Sequence, residues 1–304
     1  MQRAGIAASL VTFLILAGGL FIHTLAGVEQ GDTYTALATC VTLPPPIIEA
    51  KAAVVLDIER ERMIFEKNSN AQMPLASLTK AMTVLVASRI LKEGDTVLIT
   101  PEALIPEGNA GLYANEMWQT QDLIDFTLIT SANDGAHALA LGAAEKVKET
   151  ELEFIARMNS LAGFIGLTQT FYLNDTGLDI SSTTAGAYGS SRDMARFFTY
   201  LYQHEEQVFA HSSTPRASFT SLSGFTHNAK NTSELSGSVA GQAVSKTGFT
   251  DLSGGNLAIV AEPILGKPVA IVVLGSSREG RDRDVEALYN FAEESLKRAT
   301  LCDS

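Results

Sequence analysis

The chain has 304 residues, 46% hydrophobic and 18% charged, with a formal net charge of −12. That length buries a sizeable core, in one large domain or two small ones. An acidic chain with no stretch dense in Lys and Arg gains nothing from a phosphate backbone, so nucleic acid is excluded as an expected partner.

Residues 1–28 stand apart. Arg3 is their only early charge, and residues 4–28 carry no ionisable side chain except His23. A transmembrane helix needs about 20 such residues, whereas the core of a signal peptide runs to about 7–15. The length favours an uncleaved membrane anchor. Arg3 before the segment and Glu29 and Asp32 after it favour a cytoplasmic N-terminus and an extracytoplasmic body at the plasma membrane. The competing reading is a long cleavable signal ending at the small residues 36–38, which would leave the body secreted. Residues 29–46 read as a Thr-rich linker ending in "TLPPPII", because consecutive prolines forbid helix and favour an extended spacer. The folded body is expected over residues 47–304. Cys40 and Cys302 bracket it, too far apart for a metal or redox motif. Two free thiols and a terminal staple in an oxidising compartment are both open readings.

The body begins with "AAVVLDI" and "RMIFEK", two short β-branched runs around a charged turn, which predict a hairpin. Residues 77–91 have helical spacing, with Met82, Leu85, Val86 and Ile90 on one face. "EGDTVLITPEAL" is a turn and a short strand. "QTQDLIDFTLITSANDGAHALALGAAEKV" predicts two helices meeting at residues 131–134. A helix follows over residues 151–161, and another in "SSRDMARFFTYLYQHEEQVFA", with Ser190 or Ser191 as its cap. "GQAVSKTGFTDLSGGNLAIVAEPILGKPVAIVVLGSS" predicts three strands joined by turns, and residues 284–298 an amphipathic helix. Strands at both chain ends, with helices between, predict an α/β (α+β) fold: one antiparallel sheet, flanking helices and an inserted helical lobe.

Three short motifs carry chemistry. In "SLTK", Ser77 and Lys80 lie at i and i+3 and share a helix face. Serine is a poor nucleophile until a base removes its proton. Lysine serves as that base only when its pKa falls well below about 10.4, through burial or a second nearby cation. The start of a helix adds a positive field at Ser77. A capping serine and a snorkelling lysine would produce the same letters, although this is the only S-x-x-K in the chain. Ser131-Ala132-Asn133 interrupts an apolar run; it suits a helix cap, or a hydroxyl that relays protons beside an amide that grips a substrate amide. Lys246-Thr247-Gly248 falls on a predicted strand, where a glycine costs stability unless something approaches the backbone; a peptide substrate is the expected visitor. Lys246 is also the candidate second cation beside Lys80. His204 and His211 are seven apart, unlike the four of H-E-x-x-H, and fit a solvated helix face. His23, His137 and His227 have no partners visible in the sequence. No metal or cofactor is expected.

Taken in order, these motifs resemble those of the penicillin-recognising serine enzymes. The flanks "MPLASLTKAMTVLVA", "LITSANDGAHALA", "FYLNDTGLD" and "SKTGFTDLSGGNLAIVA", with the opening "VVLDIERERMIFEKN", are similar to the low-molecular-mass penicillin-binding proteins of the D-alanyl-D-alanine carboxypeptidase family. The similarity covers roughly residues 50–291. It implies a serine peptidase acting on peptidoglycan stem peptides that end in D-Ala-D-Ala, with β-lactams as acylating inhibitors. It implies that Ser77 is acylated, that Lys80 is the base and that Ser131 shuttles protons. Asn133 would bind substrate, and Lys246, Thr247 and Gly248 would orient the terminal carboxylate. The backbone N–H groups of Ser77 and Phe249 would form the oxyanion hole. Arg281 falls where the family often has a carboxylate-binding arginine, with Arg278 and Arg283 as neighbouring candidates.

The chain departs from the family in places. Phe249 stands where His is common, and Ser245 where an aliphatic residue is usual. The sequence runs only a little past the last helix, so membrane attachment is expected from the N-terminal segment. The alternatives are a D,D-endopeptidase on cross-links, a non-catalytic wall receptor and a β-lactamase. The last is disfavoured by the lack of an E-x-x-L-N loop between the second and third motifs.

Overall fold

The computed structural model describes residues 43–92 and 94–302. The expected membrane segment, the linker up to residue 42 and Cys40 lie outside the described residues, and so does any Cys40–Cys302 pairing. No helix among the described residues is long and apolar enough to cross a membrane.

The expected hairpin is β1 (Ala52–Asp57) and β2 (Arg62–Lys67), followed by the short β3 (Met73–Pro74). A 3-10 turn, Ala76–Leu78, leads into α1 (Thr79–Ile90). Next come β4 (Thr96–Leu98), β5 (Met117–Gln119), α2 (Thr120–Thr130), α3 (Asn133–Val147) and α4 (Glu151–Ile165). Thr150 starts α4 with a capping box, exchanging hydrogen bonds with Glu153, and Gly166 ends it. Then follow β6 (Phe171–Tyr172), β7 (Ala187–Gly189), α5 (Ser191–His204), capped by Ser190, and the short α6 (Glu206–Phe209). β8 (Arg216–Thr220) and β9 (Thr226–Lys230) form a ribbon that the sequence reading did not anticipate. The chain closes with β10 (Val244–Thr250), β11 (Gly254–Ile264), β12 (Lys267–Ser276) and α7 (Gly280–Cys302).

The main sheet has the order β10-β11-β12-β1-β2, and every pairing is antiparallel. Both chain ends therefore build it, as expected. Ala52 faces Leu274 and Val54 faces Val272, which joins the first strand of the body to the last. Side chains alternate between faces along a strand. Val54, Val272 and Ala258 pack into a core with α1 and α5, whereas Val55, Ile271 and Ile259 pack with Val285, Leu288 and Ala292 of α7. A sheet covered on both faces needs continuous apolar strands, which is why β11 and β12 read as "NLAIVA" and "AIVVLG".

α1 is buried on all sides from Thr79 to Ala87. The single apolar face expected for it is thus corrected: the helix runs through the middle of the lobe, against α3 and α4. Ser77 also lies in the 3-10 turn before α1 rather than on the α-helix itself.

Candidate active site

The turn carrying Ser77 is held from three sides. The Leu75 N–H donates to Ala187 O of β7. Asn256, fully buried on β11, donates from Nδ2 to Pro74 O (2.9 Å) and Leu75 O (3.1 Å) and accepts from Gly275 N (2.9 Å). Gly248 supplies the third side. A Cβ there would lie 2.8 Å from Leu75 O and 3.1 Å from Ser77 N. The backbone that lies close to this glycine is the nucleophile's own turn. Ala76 adopts φ 48°, an uncommon value for a residue with a Cβ, and this local strain aims Ser77 into the cleft.

Lys80 Nζ donates to Ser77 Oγ at 2.7 Å and to Thr176 O at 2.8 Å, and the residue is 0% exposed. Burial pulls its pKa down to about 7, while the charges of Asp175 and Asp134 pull the other way. Desolvation is the main cause, working against those two carboxylates. Lys246 is held well below its ordinary value by burial first, then by the charges of Lys80 and Arg281; repulsion between the two amines is mutual, as expected of a second cation beside Lys80.

Ser131 ends α2 in the left-handed region, φ 60°, and receives a hydrogen bond from Lys246 Nζ at 2.7 Å. The third motif thus meets the second at this hydroxyl, and Ser77 of the first lines the same cleft. Asn133 opens α3. Its Nδ2 donates to Glu107 O at 2.6 Å, leaving a buried Oδ1 with no partner. A buried acceptor left unpaired costs stability. Thr247 Oγ1 pairs with Thr232 Oγ1. β10 pairs only with β11, and the Ser245 N–H points off that edge to Ser212 Oγ. The two-residue alternation turns the Thr247 and Phe249 N–H groups to the same open side.

The three arginine candidates separate cleanly. Arg283 pairs with Glu49 at 2.7 Å on the surface, away from the site. Arg281 lines the cleft and is buried, donating to Gly248 O (3.0 Å) and Thr232 O (2.8 Å). Arg278 also lines the cleft, its guanidinium 4.1 Å from the centre of the Phe249 ring. Phe249, the departure from the family pattern, thus seats a second arginine at the mouth. The cleft has a volume of about 690 Å³ and continues past Thr232 to Arg216 and Lys230 at the base of the β8–β9 ribbon.

Sequence reasoning missed Asn256, the β8–β9 wall and the partners of three histidines. His137 meets Asp175, His211 meets Asp125 and His227 meets Glu116, at 2.7, 2.8 and 2.7 Å. His211 is thus anchored by a carboxylate, not merely solvated.

A model of the D-alanyl-D-alanine carboxypeptidase family matches residues 39–278. D-alanyl-D-alanine carboxypeptidase DacF of Bacillus subtilis is 28% identical over 250 residues, covering 80% of this chain and 62% of that protein. D-alanyl-D-alanine endopeptidase of Escherichia coli is 27% identical over 255 residues, covering 81% of this chain and 76% of that one. The chain thus spans about three fifths of the length of DacF. Penicillin-binding protein D2 of Listeria monocytogenes, solved in a cefotaxime-bound form, superposes with a TM-score of 0.68 at 27% identity, covering 82% of this chain and 99% of that one. DacD of Francisella tularensis shares the fold, with a TM-score of 0.73 at 23% identity over 83% of this chain and 72% of that one.

Proposed function

The chain belongs to the D-alanyl-D-alanine carboxypeptidase family, and from that membership we propose that it is a serine D-alanyl-D-alanine carboxypeptidase acting on peptidoglycan stem peptides. The observation that carries this reading is the 2.7 Å contact between the fully buried Lys80 amine and Ser77 Oγ. With a pKa of about 7 that amine is half neutral at neutral pH and can accept the serine proton.

Ser77 Oγ attacks the carbonyl of the penultimate D-alanine as its proton passes to Lys80. The N–H groups of Ser77 and Phe249 receive the oxyanion, at about 3–4 kcal/mol per donor in other enzymes. The Asn133 Oδ1 accepts the substrate amide N–H. Thr247 and Arg281 hold the terminal carboxylate, while Ser131, bonded to Lys246, relays to the leaving nitrogen the proton that Lys80 took from Ser77. The C–N bond breaks, D-alanine departs, and water hydrolyses the ester on Ser77. β-Lactams acylate the same oxygen. Residues 1–28 tether the body, residues 47–304, outside the plasma membrane through the 29–46 linker.

The test is a stem pentapeptide ending in D-Ala-D-Ala. Free D-alanine should appear, and pretreatment with a fluorescent penicillin should abolish it and place the label on Ser77. Labelling without D-alanine release would favour a receptor, and rapid turnover of the penicillin a β-lactamase. The extension of the cleft to Arg216 and Lys230 favours a second reading, cleavage of cross-links whose leaving group is larger than D-alanine. Cross-linked dimers split faster than pentapeptide is trimmed would establish it.

Arg281→Gln is expected to raise the KM for the pentapeptide about 10–100-fold, the cost of a hydrogen bond to a charged group. Arg283→Gln should leave it unchanged. Equal KM values for the two variants would move the carboxylate site off Arg281.

A further inference from the structure

His137 lies on α3, one turn beyond the S-A-N motif, and takes no part in the steps above. Its Nδ1 is 2.7 Å from Asp175 Oδ2, and only 13% of the imidazole and 2% of the carboxylate are exposed. The same Asp175 segment faces the catalytic lysine. Asp175 O accepts from Thr83 Oγ1 of α1 at 2.6 Å, and the next carbonyl, Thr176 O, accepts from Lys80 Nζ. Asp175 is thus buried one residue before the carbonyl that holds the amine, and its charge bears on that amine.

Two carboxylates, Asp134 and Asp175, bear on Lys80. They are neutralised differently. Asp134 accepts backbone N–H groups of Gly135, Ala110 and Leu112, so its charge is spread over peptide dipoles. Asp175 is met by an imidazole. Glu151 of α4 brings its carboxylate within 4.8 Å of both partners. Burial alone would lower the His137 pKa, but the bond to Asp175 and the charges of Asp175 and Glu151 outweigh it and hold it above its ordinary value. The other nearby amine, Lys246, is bonded to Ser131.

We propose that His137 is a positioning residue for the Lys80 base: its imidazolium pairs with Asp175 and cancels the buried negative charge that would otherwise keep the lysine protonated. The inference rests on the Ser77–Lys80 reading proposed above and adds to it the group that poises the amine. A carboxylate without its counter-charge, buried this close, favours the ammonium form. The thermodynamic consequence is specific. Removing His137 raises the Lys80 pKa, and removing the Asp175 charge as well restores it.

The test uses the full-length chain as wild type, His137→Ala, His137→Gln and the double variant His137→Ala/Asp175→Asn. Acylation by a fluorescent penicillin is followed across neutral pH, and the Lys80 amine is titrated by NMR with labelled lysine. Gln keeps a donor for Asp175 but carries no charge, and it is the milder change should Ala fail to fold. Both single variants are expected to shift the rise in acylation upward by about one pH unit, a loss of about fivefold in neutral amine at pH 7. The double variant is expected to return toward wild type, a coupling that a purely structural role would not produce. An unchanged midpoint in His137→Gln, or a double variant no closer to wild type than the single, overturns the proposal. Should wild type take no label, the serine-enzyme reading fails, and the NMR titration still decides whether His137 sets the lysine.

Discussion

Replacing Lys80 by methionine is expected to slow acylation of Ser77 at pH 7 by about 10²–10⁴-fold, the usual worth of a general base, without destabilising the fold. The second half of that expectation follows from linkage. The folded-state pKa of Lys80 is about 7, against about 10.4 for a lysine in the unfolded chain. Between those values the unfolded chain holds a proton that the folded chain lacks, so stability rises with pH across that window and is lowest below about pH 7. The cost of housing this lysine at and below neutrality is on the order of 5 kcal/mol. Methionine removes that cost and leaves Thr176 O unpaired, which returns about 1–3 kcal/mol. The Tm of Lys80→Met should therefore equal or exceed that of wild type at pH 7, and its rise with pH should be flatter. For wild type, acylation should increase as pH rises through about 7, as the ammonium gives up its proton. A folded Lys80→Met protein that still labels at the wild-type rate removes the base from this residue.

Gly177→Ala is expected to be the most damaging single methyl in the molecule. Gly177 has φ +79°, and a Cβ there would lie 2.0 Å from Ala76 O and 2.6 Å from Thr79 Oγ1. Backbone meets backbone at this point, so nothing can swing aside. Left-handed strain and overpacking together should cost about 3–5 kcal/mol, or a Tm about 10 °C lower for a domain of this size. The same shift moves Thr176 O off Lys80 and Ala76 off its place before Ser77, and a misplacement of about 1 Å in a site can cost about 10²-fold in rate. Gly224 provides the control. It has φ +86° with nothing within 4 Å of its missing Cβ. Gly224→Ala carries the dihedral penalty alone and should lower stability by only about 1 kcal/mol. Equal losses in the two variants, by thermal unfolding and penicillin labelling, would show that the contact with the Ser77 turn is not what Gly177 serves.

Much of this molecule was legible one segment at a time. The i and i+3 spacing of Ser77 and Lys80, the break at residues 131–134 and the three apolar strands near the C-terminus are short-range patterns, and they led to the right sheet and helices. The β8–β9 ribbon was missed because "RASFT" and "THNAK" turn inward only Ala217, Phe219, His227 and Ala229, the first two half-buried, and carry little apolar signal. Ser77 was placed on the helix rather than in the turn before it because element boundaries are the least regular part of any periodic pattern. Three arginines in "SREGRDR" are equivalent as letters; Glu49, Phe249 and two carbonyls, each at least 29 residues away, separate them.

The amino-acid order by itself determined which chemical groups this protein owns and which neighbours along the chain share a face: a hydroxyl one turn from an amine, and two further polar triplets to serve them. Only the tertiary structure decided that the amine is dry, that Thr176 O meets it, that His137 faces Asp175, and that Gly248 and Gly177 leave room for the turn bearing Ser77. The physical reason is that a pKa is set by desolvation and by charges within a few ångströms, and those come from segments about a hundred residues apart that meet only once the core closes.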